Sequence, residues 1–318
     1  MIDYVSILHY FSAVLAVACT SIGVGLGQGK IALSIINSMD IAPNTRNEAS
    51  RIGFMGMAIA ETAAVLGVSI AIILLLKTAP STLYGSIAKV GIAFAIGLSG
   101  GVVGYVSYLP ASAAIISLAR QPFFGPKILN LMLITISLIQ TPVIFGFIIS
   151  YFIYSQSAGT TNLVDAVRFL SSGFCIGVGT IGPTIGLAIF AQAALQAVGY
   201  NRTMYNRILS FTFLSEAIIE TPIIFALLTS MILITIPIQA GDPFIQVIKL
   251  FSSALSMGVS TIAAGINSGK ISAQAVTQIA RYPKEYSAIS RASMIAQGLL
   301  DTLAIYGLII SFMLIFVV

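Results

Sequence analysis

Glu61-Thr62-Ala63, Gln140-Thr141-Pro142, Glu220-Thr221-Pro222 and Asp301-Thr302-Leu303 are four versions of one motif: a polar residue, then threonine, then an apolar run. The polar residues follow one another at intervals of 79, 80 and 81 in a chain of 318 residues. Eighteen positions before them lie Pro43, Pro122, Arg202 and Pro283, each in a short polar loop that follows a Gly-rich stretch. A period that keeps its internal register four times predicts an array of four similar units.

Each unit reads as a Gly-rich helix, a polar loop, a second helix and a linker. The spans are expected near 5–39, 50–77, 85–119, 127–154, 165–199, 206–236, 244–280 and 287–317. Hydrophobic residues make up 58% of the chain and charged residues 8%, against about a quarter charged in soluble domains. Apolar runs such as 90–119, 128–154 and 169–200 exceed the roughly 20 residues that cross a bilayer. The expected fold is an all-α membrane protein of eight transmembrane helices, arranged as hairpins 1–79, 80–160, 161–240 and 241–318. The start, Met1-Ile2-Asp3-Tyr4, lacks a basic region before a short apolar core, so the first span is expected to be retained.

Charge placement gives an expected orientation. The loops within the hairpins hold Arg46, Arg51, Arg120, Lys127, Arg202, Arg207, Arg281, Lys284 and Arg291, whereas the linkers hold Lys77, Lys89, Arg168 and Lys249. This bias puts the hairpin loops in the cytoplasm and both termini outside. Lys30 and Lys270 are expected to snorkel toward the cytoplasmic surface. The net charge of +5 is spread singly over short loops, with no basic stripe, so nucleic acid is not an expected partner. Cys19 and Cys175 sit in apolar stretches and suggest neither a disulfide nor a metal site, and His9 is assigned an interfacial packing role. There is no Gly-Lys-Ser/Thr phosphate loop.

Glycines crowd the first helix of every unit: Gly23, Gly25, Gly27 and Gly29; Gly97, Gly100, Gly101 and Gly104; Gly173, Gly177, Gly179, Gly182 and Gly186; Gly258, Gly265 and Gly269. In lipid, small residues let helix backbones approach closely, so these helices are expected to form a tight inner layer. Glu61, Glu216, Glu220 and Asp301 fall mid-span in second helices, where an ionised carboxylate costs at least about 2.5 kcal/mol. Three of the four units place the acid at the same register position, and no Lys or Arg lies at matching depth. Such a carboxyl can carry a proton or, with neighbouring oxygens, hold Na⁺.

The stretch Asp301-Thr302-Leu303-Ala304-Ile305-Tyr306-Gly307-Leu308-Ile309 resembles the second-helix ion site of the proteolipid, or c subunit, of F-type ATP synthases, with Asp in place of the commoner Glu. Arg120-Gln121-Pro122 resembles the family's loop signature, Arg281-Tyr282-Pro283 is a near match, and Gln28, 33 residues before Glu61, resembles the first-helix glutamine of Na⁺-binding members. The resemblance covers the chain as four fused two-helix subunits. It implies a non-catalytic, ion-translocating ring with first helices inside, several copies of the chain (three is our working number), and no cofactor besides the transported H⁺ or, less favoured, Na⁺. Glu61, Glu220 and Asp301 would bind the ion, with Gln28, Thr62, Glu216, Thr221, Thr302 and Tyr306 in support and Na⁺ possible at Glu61. The implied partners are an a subunit that supplies a stator arginine, the central stalk and the lipid bilayer. Pro43, Arg120, Gln121, Pro122, Arg281 and Pro283 would face the stalk, and a bacterial plasma membrane is the expected location.

The units depart from the family pattern in places. Gln140 cannot titrate, so its hairpin is expected to be idle. Glu216 lies one turn from Glu220, where Met57, Ile136 and Gln297 stand in the other units. The Na⁺-type set is divided among units: Gln28 and Thr62 come with Leu66, Tyr306 and Thr302 come with Ser268, and hairpin three offers Leu187 and Phe225. Protons are therefore favoured. A V-type or archaeal-type proteolipid, and a proton-coupled transporter or channel using the same acids, remain open alternatives.

Overall fold

The protein is described by a computed structural model covering residues 4–76, 82–237 and 241–317. Asp3, Lys77 and the expected hairpin limits at 79–80 and 240 lie outside these residues. Eight helical runs are long and apolar enough to cross a membrane, and no strand occurs among the described residues. The first hairpin is α1 (Tyr4–Ile41) and α2 (Arg46–Leu76). The second comprises α3 (Leu83–Val106), α4 (Tyr108–Arg120), α5 (Gly125–Ile139) and α6 (Thr141–Gln156). The third comprises α7 (Leu163–Gly179), α8 (Ile181–Tyr200) and α9 (Tyr205–Thr235), and the fourth α10 (Pro243–Arg281) and α11 (Tyr286–Phe316).

Three spans expected to be continuous are interrupted by a single residue, at Ser107, Gln140 and Thr180. Each break lies two or three residues before a proline: Pro110, Pro142 or Pro183. Proline has no N–H and its ring displaces the carbonyl four residues earlier, which bends the helix. Backbone bonds still run through the breaks, with Ser107 N–H to Val103 O at 3.2 Å, Gln140 N–H to Ile136 O at 3.2 Å and Thr180 N–H to Ile176 O at 3.1 Å. At Pro183 the carbonyl left without a helical donor, Gly179 O, accepts a bond of 2.9 Å from Thr261 in the next hairpin. This repair is what allows a break inside the hydrocarbon.

All four hairpin loops close with the same 3₁₀ turn, at Pro43–Thr45, Pro122–Phe124, Arg202–Met204 and Pro283–Glu285. The residues before these turns share one backbone state, with φ/ψ of −140°/80° at Ala42, −132°/67° at Gln121, −141°/89° at Asn201 and −123°/72° at Tyr282. A following proline excludes the α region and so favours this state. Where Arg202 replaces proline, Asn201 does the work differently: its Oδ1 accepts from the Thr203 N–H at 3.2 Å and the Thr203 hydroxyl at 2.6 Å.

The first helices pack in chain order, α1 on α3 and α4, α3 on α7, and α7 and α8 on α10. Glycine sets their separation. A Cβ added at Gly23 would lie 2.0 Å from Gly101 O, one at Gly173 1.9 Å from Gly91 O, and one at Gly186 2.1 Å from Gly265 O. The second helices sit outside, those of the first three hairpins over the groove between their own first helix and that of the following hairpin: α2 touches α1, α3 and α4, and α9 touches α7, α8 and α10. The result is an open arc with two unlike ends. Among the described residues, five lateral hydrogen bonds join residues 78 apart, including Ser34 to Ser112 at 2.8 Å and Ser117 to Leu195 O at 2.9 Å. Neighbouring hairpins therefore pack nearly in repeat register.

Two basic residues are used otherwise than expected. Lys30 donates to the Tyr105 hydroxyl and lies over the Tyr105 and Tyr108 rings, a lateral tie rather than a snorkel. His9, expected only to pack, lies buried with its Nδ1 3.0 Å from Lys89 Nζ across the first two hairpins.

Candidate ion-carrying site

The four register positions of the polar residue lie at one level, near the middle of the second helices, but their surroundings differ. Gln140 is the most fully bonded. Its Oε1 accepts from the Thr62 hydroxyl of the preceding hairpin at 3.1 Å, and its Nε2 donates to Ser107 Oγ of its own first helix at 3.3 Å. Ser107 lies 33 residues before Gln140, the offset that separates Gln28 from Glu61. It is a polar partner that the sequence alone left unassigned, although the shared offset marks it.

The lateral contact recurs one hairpin further on. The Thr141 hydroxyl faces the Glu220 carboxylate, so the threonine after one hairpin's polar residue meets the polar residue of the next. The contact does not recur at the third seam, where Thr221 bonds its own helix and Asp301 Oδ1 has no partner. Thr62 also reaches Ile59 O at 2.7 Å, Thr302 bonds Leu299 O at 2.6 Å and Thr221 bonds Ala217 O at 3.1 Å.

Glu61 is exposed on the outer face of α2, Glu220 is half-buried, and Asp301 is buried. Among the described residues none of them is in an ion pair, and Asp301 Oδ1 has no hydrogen-bond partner. Glu216 is buried, and neither of its oxygens has a partner. It lies one turn from Glu220, away from the lateral contact with Thr141. An apolar groove lined by Ile59, Val65, Leu66, Val143 and Ile144 opens beside Thr62 and Gln140 on the outer face.

Other residues expected in support are placed elsewhere. Gln28 Nε2 donates to Met57 O at 3.2 Å, one turn before Glu61, tying α1 to α2. Tyr306 is 60% exposed and makes no hydrogen bond to Asp301. In the loops, Arg120 lies over the Tyr200 ring at 4.7 Å and Gln121 reaches Gly199 O at 3.4 Å, so both brace the next hairpin. Pro43, Pro122 and Arg281 are exposed, Pro283 partly so, and Phe123 is 96% exposed. No group of three or more His, Cys, Asp or Glu residues suited to a metal ion occurs among the described residues.

The family model for the c subunit of ATP synthase matches three times in tandem, over residues 90–153, 170–233 and 251–314. The matches follow the second, third and fourth hairpins, and the first lies outside them. The ATP synthase c subunit from Dehalococcoides mccartyi is 40% identical over 70 residues, which is 22% of this chain and 92% of that protein. Those of Chloroflexus aurantiacus and a Synechococcus species are 29% identical over 70 residues and 33% over 75, each again covering 92% of the relative. One such relative corresponds to a single hairpin.

Proposed function

The chain belongs to the ATP synthase c-subunit family, and on that premise we propose that it is the ion-translocating rotor component of a rotary ATP synthase, carrying H⁺ on Glu61, Glu220 and Asp301. It makes no bonds itself; ATP is handled by partner subunits. The lateral threonine pairing carries this assignment. At the first two seams one geometry presents the same mid-span position of successive hairpins, as a rotor needs if each position is to pass a single stator.

A carboxyl at this depth is tolerated against lipid when neutral and gives up its proton where it meets water or a positive group. We assign that group to a stator arginine of the a subunit. H⁺ is favoured over Na⁺ because the oxygens of a Na⁺ shell are dispersed: Gln28 engages Met57, Tyr306 stands exposed, and hairpin three has Leu187 and Phe225 at the matching positions. Gln140 holds its place as a neutral hydrogen-bonding group, so three of the four hairpins carry ions. Glu216 is a secondary acid supporting Glu220.

The hairpins, divided at 1–79, 80–160, 161–240 and 241–318, line a ring of several copies with the first helices inside. The loops face the cytoplasm and the central stalk, offering Pro43, Pro122, Arg281 and Pro283, while Arg120 and Gln121 stiffen the loop surface. Both termini lie outside a bacterial plasma membrane. The Arg120-Gln121-Pro122 loop favours an F-type complex. The one-residue breaks keep their backbone bonds, unlike the unwound helices of secondary transporters, which favours the rotor.

The test is ATP-driven ion uptake by liposomes containing the assembled complex, with and without Na⁺. We expect acidification that is independent of Na⁺ and abolished when Glu61, Glu220 and Asp301 are all replaced by Gln. A requirement for Na⁺ with Na⁺ uptake would replace H⁺ as the cargo, and pumping that survives loss of all three carboxyls would remove them as carriers.

A further inference from the structure

At the linker end of the spans a half-open cleft lies between the third and fourth hairpins, bounded by the starts of α7 and α10 and the ends of α9 and α11. Arg168, Gln246 and Lys249 line it, against apolar walls that include Ile236, Leu250 and Leu314. Arg168 and Lys249 are 81 residues apart, the interval that separates Glu220 from Asp301, so they hold one register position on neighbouring first helices. Moving Arg168 back by the earlier intervals, 80 and then 79, gives Ala88 and His9. Of the three seams within the chain, only the one between hairpins three and four therefore sets a lysine and an arginine against each other at this position. Lys89, one place beyond Ala88, is turned toward His9 at the first seam.

The guanidinium of Arg168 is only partly used inside the chain. Its Nη2 lies 2.9 Å from Asp165 Oδ1 and its Nη1 donates to Ile236 O at 2.7 Å, but its Nε is buried and has no hydrogen-bond partner. Buried donors are almost always bonded, so this N–H asks for an acceptor from outside the chain. Depth narrows the choice. The spans Leu163–Tyr200 and Pro243–Arg281 have 38 and 39 residues, about 57 Å at about 1.5 Å per residue, against about 30 Å of hydrocarbon. Centred in the bilayer, they overhang by roughly 13 Å at each end. Arg168 and Lys249 stand five and six residues inside the starts of α7 and α10, about 8 to 9 Å from those ends, which is headgroup level.

We propose that this cleft binds the phosphate of an anionic phospholipid, one per chain, with Arg168 and Lys249 on the headgroup, Gln246 beside them and an acyl chain along Ile236 and Leu314. Two cations and an unused N–H suit a phosphate, and apolar walls beside them at the edge of the hydrocarbon suit the chain attached to it. A bound lipid would join hairpin three to hairpin four at the end of the spans remote from the hairpin loops. The site is independent of which ion the mid-span carboxyls carry.

The test loads the intact complex with phosphatidylglycerol, exchanges it into lipid-free detergent and counts the retained lipid by native mass spectrometry, with phosphatidylcholine in a parallel sample and inorganic phosphate as a competitor. We expect one more phosphatidylglycerol per copy of this chain than the double variant Arg168→Gln, Lys249→Gln retains, no such excess of phosphatidylcholine, and no displacement by phosphate. Lys249→Gln alone should lower retention about fivefold, the scale of one cation beside an anionic headgroup layer. Lys284→Gln removes the same charge from an exposed loop at the opposite end and should change nothing. Circular dichroism checks that each variant keeps its helices, and Lys249→Gln decides the matter if Arg168→Gln does not fold. Equal retention by the wild type and folded Lys249→Gln, or equal retention of phosphatidylcholine, would overturn the proposal. Displacement by inorganic phosphate would overturn it too, making the cleft a site for a free anion.

Discussion

Replacing Gly173 by alanine tests the packing that brings the polar positions to one level. Its Cβ would lie 1.9 Å from Gly91 O, 2.5 Å from Gly91 C and 2.8 Å from Gly91 Cα, where ordinary contact begins near 3.4 Å. All three atoms are backbone, so no rotamer relieves the overlap and α7 must move from α3 by about 1.5 Å. Overpacking of this kind costs about 3 kcal/mol at the upper end of its range, and alanine's better helix propensity returns at most about 1 kcal/mol. A net loss of about 2 kcal/mol is expected. Gly25→Ala, with nothing within 4 Å, is the matched control and should leave the isolated chain as stable or slightly more so. Unfolding of the purified chain by sodium dodecyl sulfate in mixed micelles, followed by circular dichroism, measures both. Equal midpoints for the two variants would refute glycine-set helix contact as the basis of the inner layer.

Gln140→Glu keeps the shape and the Thr62 contact while adding a titratable group. It should become a fourth carrier and raise the ions moved per ATP by a third, measured as coupled uptake and hydrolysis in liposomes. Gln140→Leu should lower stability by about 1–2 kcal/mol, since it removes hydrogen bonds to both Thr62 and Ser107; the same detergent titration reads this. Arg202→Pro should stabilise by about 0.4–1 kcal/mol, because Asn201 already adopts the backbone state that the three proline loops share. Glu216→Gln should leave the ions moved per ATP unchanged, whereas Glu220→Gln should lower them by about a third, because Glu220 is the acid that faces Thr141.

Much of this architecture was legible in the sequence for a physical reason. A bilayer requires spans of nearly fixed length, so four similar units repeat at nearly fixed intervals, and the register of Glu61, Gln140, Glu220 and Asp301 survives as a count of residues. The inner glycines were legible too, since glycine in a membrane helix marks close approach. The helix breaks were less so: Pro110, Pro142 and Pro183 are plain in the sequence, yet Pro222 sits inside α9 without interrupting it, and the outcome depends on what repairs the backbone. The lateral contacts were hidden altogether. Gln28 turns to Met57 O, Lys30 to Tyr105 and Thr62 to Gln140 because of how one hairpin sits against its own second helix or the next hairpin. The lateral bonds lie close to the repeat interval, at 78 residues, but which side chains meet across it is decided by packing.

The most direct measurement for the central claim is dicyclohexylcarbodiimide labelling of the intact complex followed by peptide mapping, with ATP-driven pumping recorded on the same samples. Adducts at Glu61, Glu220 and Asp301, none at Gln140, and loss of pumping in step with labelling are the predicted result. Pumping that continues after all three carboxyls are modified, or no adduct at any of them, would contradict their role as carriers.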